Sequence, residues 1–209
     1  MAAPPFLDRR DAGDALAEAL RGVIQPPAAV LGIPRGGVVV AARVASRLGL
    51  PLGVVVTKKL GAPGNPELGI GAVAPGVRVL EQDVLTALSV SDRWLARESA
   101  RVDAEVARRA DAYGAVIDVH GSTAAVVDDG VATGSTARAA GIWARQAGAT
   151  HVVLGVPVAP VGVERRVADA FDDVVAVLTP SDLRAVGQYY ADFGQVGDDE
   201  VRDLLKTAG

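Results

Sequence analysis

The stretch AVVDDGVATGSTARAA, residues 125–140, sets two adjacent carboxylates, Asp128 and Asp129, at the end of an apolar run and follows them with Gly130, Ala132, Thr133, Gly134, Ser135 and Thr136. Glycine lets backbone amides come close to a ligand, the hydroxyls donate, and a helix starting near Gly134 aims free N–H groups at an anion, so the turn is built like a phosphate cradle. Two carboxylates repel a phosphate. They suit vicinal hydroxyls or a divalent cation instead, and a ligand with a diol next to a phosphate is a ribose 5-phosphate. A second turn, Pro34-Arg35-Gly36-Gly37, closes another apolar run; a guanidinium beside the free amides of a helix start binds an anionic group. Lys58 and Lys59 are expected to end a strand, and adjacent strand residues point to opposite faces, so one of the two should enter the site. Read as structure alone, the same residues are a turn, a helix cap, a surface arginine and a solvated lysine pair.

The Walker A spacing with its lysine is missing, and no strand-to-helix turn carries G-x-G-x-x-G, which excludes a P-loop NTPase and a standard dinucleotide-binding domain. Short β-branched runs alternate with helical periods, the pattern of βαβ units and a parallel sheet. Strands are expected at 28–33, 52–57, 124–128, 151–156 and 173–178. Helices are expected at 8–21, 37–48, 91–113 with Ser91 as N-cap, 134–147 and 161–170. The two candidate turns then fall at carboxyl ends of strands, where open α/β sheets bind ligands. Residues 60–76, LGAPGNPELGIGAVAPG, hold five glycines and three prolines; that density predicts an irregular functional lid, with a short hairpin around 70–80.

With 209 residues, half of them hydrophobic, the chain has the length for a single α/β domain. It has no cysteine, so disulfides, thiolate metal sites and a cysteine nucleophile are excluded. A net charge of −4 with 4% aromatics argues against nucleic acid as a partner. The N-terminus lacks a signal-peptide pattern and the longest apolar run is too short to span a bilayer, so a cytoplasmic protein without a membrane partner is expected. His120 and His151 lie outside both motifs and are read as structural.

The motif VVDDGVATGST resembles the phosphoribosyl pyrophosphate motif of the type I phosphoribosyltransferases. FLDRRDAGDALAEAL, LGIPRGGVVVA, KKLGAPGNPELGIGAV and AVGQYYADFGQV extend the resemblance over nearly the whole chain, to bacterial members whose acceptors are mostly unassigned. It implies an open, mainly parallel sheet with helices on both faces, plus a small hood from residues 181–209 and the N-terminal residues. Asp128 and Asp129 would hold the ribose 2- and 3-hydroxyls, directly or through Mg²⁺, and Gly130 with Ala132 to Thr136 would cradle the 5-phosphate. Pro34 to Gly37 would bind pyrophosphate, with a cis or strained peptide near Arg35 and Gly36. Residues 60–76 would be the mobile lid, with Asn65 and Glu67 in reach of the ligand. The implied reaction passes a phosphoribosyl group from phosphoribosyl pyrophosphate to an acceptor nitrogen, with Mg²⁺ as cofactor, Arg35, Lys58 or Lys59 on the leaving group, and a homodimer as the usual assembly. Tyr189, Tyr190 and Phe193 are candidates to stack on a planar acceptor or to pack the hood onto the core. A regulator that binds phosphoribosyl pyrophosphate without chemistry, and a hydrolase or phosphorylase of a phosphoribosyl compound, are the alternatives.

Overall fold

The computed structural model describes residues 4–115 and 117–207. Helix α1 (Arg9–Leu20) starts at Asp8, whose side chain accepts from the Arg10 and Asp11 amides, and buries Ala12, Leu16, Ala17 and Leu20. Strand β1 (Ala28–Gly32) leads through the Pro34-Arg35 turn into α2 (Gly36–Leu48), which ends on left-handed Gly49. After β2 (Leu52–Val54) the chain leaves the main sheet for β3 (Lys58–Ala62), β4 (Asn65–Ala74) and β5 (Val77–Leu80). Helices α3 (Gln82–Ala87) and α4 (Asp92–Tyr113) follow, the latter capped by the Ser91 side chain. The second half runs β6 (Thr123–Val127), α5 (Ser135–Gln146), β7 (His151–Val158), α6 (Val163–Val167), β8 (Asp173–Leu178), a 3₁₀ turn (Val186–Tyr189) and α7 (Asp198–Thr207).

The main sheet is parallel throughout, in the order β2-β1-β6-β7-β8. Both faces are covered, so its strands are nearly continuous apolar runs. Alternate side chains feed two cores: Val30 and Val127 pack with Leu16, Leu20 and Val40 on one face, Leu31 and Val126 with Ala140, Leu154 and Phe171 on the other.

Three expectations are corrected. Lys58 and Lys59 do not end the second strand; β2 stops at Val54 and the lysines open β3 of a separate antiparallel sheet, β3-β4-β5. Residues 60–76 are therefore not an irregular loop but the body of a hairpin arm turning at Pro63-Gly64. Its glycines serve the pairing: the register shifts on both sides of Gly61, where a Cβ would stand 2.6 Å from Pro66 Cα. Ala72, Ala74, Val77 and Val79 rest the arm on Ala139 of α5. The helix expected at 161–170 shortens to α6, which starts at left-handed Gly162. Helices α3 and α7 were not anticipated, and both are short.

Candidate functional site

Gly32 of β1 pairs with Val127 of β6, and the Ile33 amide donates to the Val127 carbonyl at 2.8 Å, so the two strands end level. That register sets Pro34–Gly37 beside Asp128–Thr136. Gly36 and Gly37 are the contact points. A Cβ on Gly37 would lie 2.8 Å from both Cα and Oδ1 of Asp128; one on Gly36 would overlap Asp129 Oδ2 and lie 2.7 Å from Arg9 Nε. The Pro34–Arg35 peptide is cis, in the turn where the family resemblance implied a cis or strained peptide near Arg35 and Gly36. Arg35 precedes α2 and is exposed.

The paired carboxylates differ in environment. Asp128 Oδ1 accepts the Asp129 amide at 2.8 Å. Although some of its surface meets solvent, the carboxyl is enclosed by protein, and this desolvation, with the charge of Asp129 beside it, raises its pKa well above the ordinary 3.8. Asp129 is held by Arg9, whose Nε donates to Oδ2 at 2.7 Å, with the two side chains only 11% and 18% exposed. The same guanidinium donates to the Gly194 carbonyl at 2.8 Å and lies 3.9 Å from the Phe193 ring centroid. Arg9 was missed in the sequence; it lies 120 residues from its partner, and nothing local marks it.

The chain ends meet over this pair. Phe6 bridges to Tyr190, and the amides of Ala191 and Asp192 donate to the carbonyls of Phe6 and Leu7. Tyr190 is buried, its ring between Phe6 at 5.5 Å and Phe193 at 4.9 Å, and its hydroxyl donates to the Asp129 carbonyl at 2.5 Å. Burial and the Asp129 charge push its pKa up, keeping the phenol protonated. Tyr190 thus packs and braces rather than offering a face to a planar acceptor. Tyr189 is half-buried and Phe193 partly exposed under Arg9. Beyond Arg9, Asp192, Gln195 and Glu200 help line a crevice of about 230 Å³.

In the turn of residues 130–136, Gly134 is left-handed (φ 95°) and Ser135 opens α5. Thr133 is exposed, Thr136 half-buried, and Val186 fills the space beside Gly130. The Ser135 hydroxyl, 3.5 Å from that of Thr133, is hydrogen-bonded to Glu81 Oε1 at 2.7 Å, a partner the sequence reading did not contain. The strand period separates the lysines: Lys58 bonds Glu105 of α4, holding that carboxyl below its usual range, whereas Lys59 and Glu67 line a cavity with Thr133, Gly134 and Ser135. Asn65 is exposed at the arm's tip. Behind Arg35, Tyr113 donates to Asp198 Oδ1 at 2.7 Å; burial, then that bond, pushes the phenol up to about 12. The same hydrogen bond, with the charges of Arg109 and Arg35, lowers Asp198. His151 sits at the opposite, amino end of β7, bonded to Asp173.

Among the described residues no group of three or more His, Cys, Asp or Glu side chains forms a metal cluster. With Arg9 on Asp129 Oδ2 and the charge of Asp128 disfavoured, the pair suits hydroxyl groups, and a magnesium ion held largely by a ligand's own oxygens. No helix among the described residues is long and apolar enough to cross a membrane.

The carboxylate pair, the hydroxyl-rich helix start and the Gly-Gly turn meet at the carboxyl ends of a parallel α/β sheet, where open sheets of this class bind ligands. The sequence pattern of the phosphoribosyl transferase domain matches residues 7–191, and the chain belongs to that family. A relative from Mycobacterium tuberculosis strain H37Rv, named "Putative phosphoribosyl transferase", is 44% identical over 207 residues, 97% of this chain and 47% of its own length. The chain thus spans about half the length of the curated relatives it matches. A crystal structure from Thermus thermophilus is 44% identical, covering 97% of this chain and 98% of its own, with a TM-score of 0.80. A Neisseria gonorrhoeae protein solved with bound ppGpp shares the fold at 14% identity and a TM-score of 0.51, over 99% of each chain.

Proposed function

We propose that this domain transfers a 5-phosphoribosyl group from phosphoribosyl pyrophosphate to a nitrogen nucleophile and releases pyrophosphate. The observation that carries this reading is the level ending of β1 and β6, which seats Gly36 and Gly37 directly against Asp129 and Asp128. A pyrophosphate on the Arg35 turn and ribose hydroxyls on the carboxylates are then neighbours, as they are on C1 and C2 of the donor. The backbone amides and hydroxyls of residues 132–136 hold the 5-phosphate. Arg35 and the amides of Gly36 and Gly37 receive charge on the departing pyrophosphate, while Lys59 stands at the 5-phosphate end with Thr133 and Ser135. The C1–oxygen bond breaks with its electron pair passing to pyrophosphate, and the acceptor's lone pair closes on the opposite face of C1.

Mg²⁺, when bound, neutralises the pyrophosphate and aligns it. The chain's own contribution is positional: Arg9 and Tyr190 hold Asp129 by its carboxylate and its carbonyl, so the hydroxyl acceptor is oriented before the ligand arrives. The chain ends act as the hood and the β3–β4 arm as the cover that keeps water from C1. Calorimetric titration with phosphoribosyl pyrophosphate, with and without Mg²⁺ and with ribose 5-phosphate as control, tests the donor site. Magnesium-dependent binding followed by pyrophosphate release with a nitrogen acceptor is expected; absence of donor binding under both conditions overturns the proposal.

A further inference from the structure

Ser135 is one of the three hydroxyls that the phosphate turn offers a ligand, yet its single hydrogen is already committed. It is 6% exposed and donates to Glu81 Oε1 at 2.7 Å. The carboxylate comes from outside the turn. Gly134 provides no side-chain cap and the first turn of α5 contains no acidic residue, so Glu81, at the junction of β5 and α3, supplies an anion where α5 begins. It also lies within Coulombic reach of Arg138, one turn further along α5. Glu81, Thr133, Ser135 and Arg138 share, with Lys59 and Arg166, one cavity of about 560 Å³. The carboxylate is tethered: the Glu81 amide donates to the Ile70 carbonyl of β4 at 3.0 Å, which ties its backbone to the arm.

We propose that Glu81 is a built-in competitor for the phosphate cradle, whose carboxylate a phosphorylated ligand must displace from Ser135. This rests on residues 132–136 being the 5-phosphate site. A phosphate dianion and a carboxylate repel at hydrogen-bonding range, and one hydroxyl hydrogen cannot serve both. Release of Glu81 frees the junction of β5 and α3, so filling of the cradle is coupled to the position of the β3–β4 arm. The same contact selects ligands, because only a group more strongly held than a tethered carboxylate takes the cradle.

The test is calorimetric titration of the wild-type chain, Glu81→Gln and Glu81→Ala with ribose 5-phosphate and with phosphoribosyl pyrophosphate. Glutamine keeps an acceptor for Ser135 and removes only the charge; alanine removes both. Each variant is expected to bind the two ligands roughly tenfold more tightly than wild type, the scale of an ordinary coupling between sites, at a temperature where it is folded, while loss of the anion at the start of α5 lowers its melting temperature by a few degrees. Unchanged or weaker binding by folded variants, beside clear wild-type binding, overturns the Glu81 proposal and leaves the transferase reading intact. If neither the wild type nor either variant binds either ligand, the cradle assignment falls and takes this proposal with it.

Discussion

Asp128 and Asp129 are chemically identical in sequence and opposite in setting. Arg9 compensates Asp129 at 2.7 Å, whereas Asp128 is enclosed beside a like charge and its pKa is raised. The folded chain therefore binds the Asp128 proton more tightly than the unfolded chain, whose ordinary value is 3.8. Its contribution to stability is fully present below pH 3.8 and is lost as pH rises through the folded value. Asp128→Asn, which retains the oxygen facing the Asp129 amide, is expected to raise the melting temperature at pH 7. The gain should disappear in melts recorded below about pH 4; a gain independent of pH would contradict this origin. The adjacent carboxylates were legible in sequence because they are consecutive. Their inequality was not, since it is set by α1 and by the depth of the strand end.

At the scale of elements, glycine inside a helix normally weakens it by roughly 1 kcal/mol relative to alanine, yet α2 begins with two. The reason lies across the β1–β6 seam, where any side chain on Gly37 meets Asp128. Gly37→Ala is expected to lose about 1–3 kcal/mol by urea unfolding, despite the better helix former, and to weaken donor binding at least tenfold. A stabilised variant with intact binding would show that the turn has room to give. The five parallel strands were each located within a few residues, because buried β-branched runs bounded by turns have few other readings. The hairpin expected around 70–80 is present as β4–β5, whereas the β3–β4 pairing is hidden in sequence because Gly61, Gly69 and Gly71 look like breakers, although they stand where two strands shift register or a neighbouring backbone passes close.

For the whole molecule, the tie between the chain ends sets the site. Phe6 is 4% exposed and covers Tyr190, which in turn bonds the Asp129 carbonyl. Phe6→Ala is expected to cost about 3 kcal/mol in chemical unfolding and, at temperatures where the variant is folded, to lower affinity for phosphoribosyl pyrophosphate. Loss of stability with unchanged affinity would make the tie structural only. The contact spans nearly the full chain, which is why Tyr189, Tyr190 and Phe193 were readable as aromatic residues near the site but not as half-buried neighbour, brace and stacking partner of Arg9.

The parallel α/β class, the two turns that converge and the residue types they carry follow from the order of residues along the chain alone. Those features are written in consecutive residues: apolar runs, caps such as Asp8 and Ser91, and the order of Asp-Asp before Thr-Gly-Ser-Thr. That Arg9 holds Asp129, that Lys58 is taken by Glu105 while Lys59 lines the cavity beside Thr133 and Ser135, and that Glu81 bonds Ser135 become visible only in the folded chain. Each is a pairing between distant segments, fixed by strand register and by which face of an element is buried, and neither quantity is a property of any short stretch of chain.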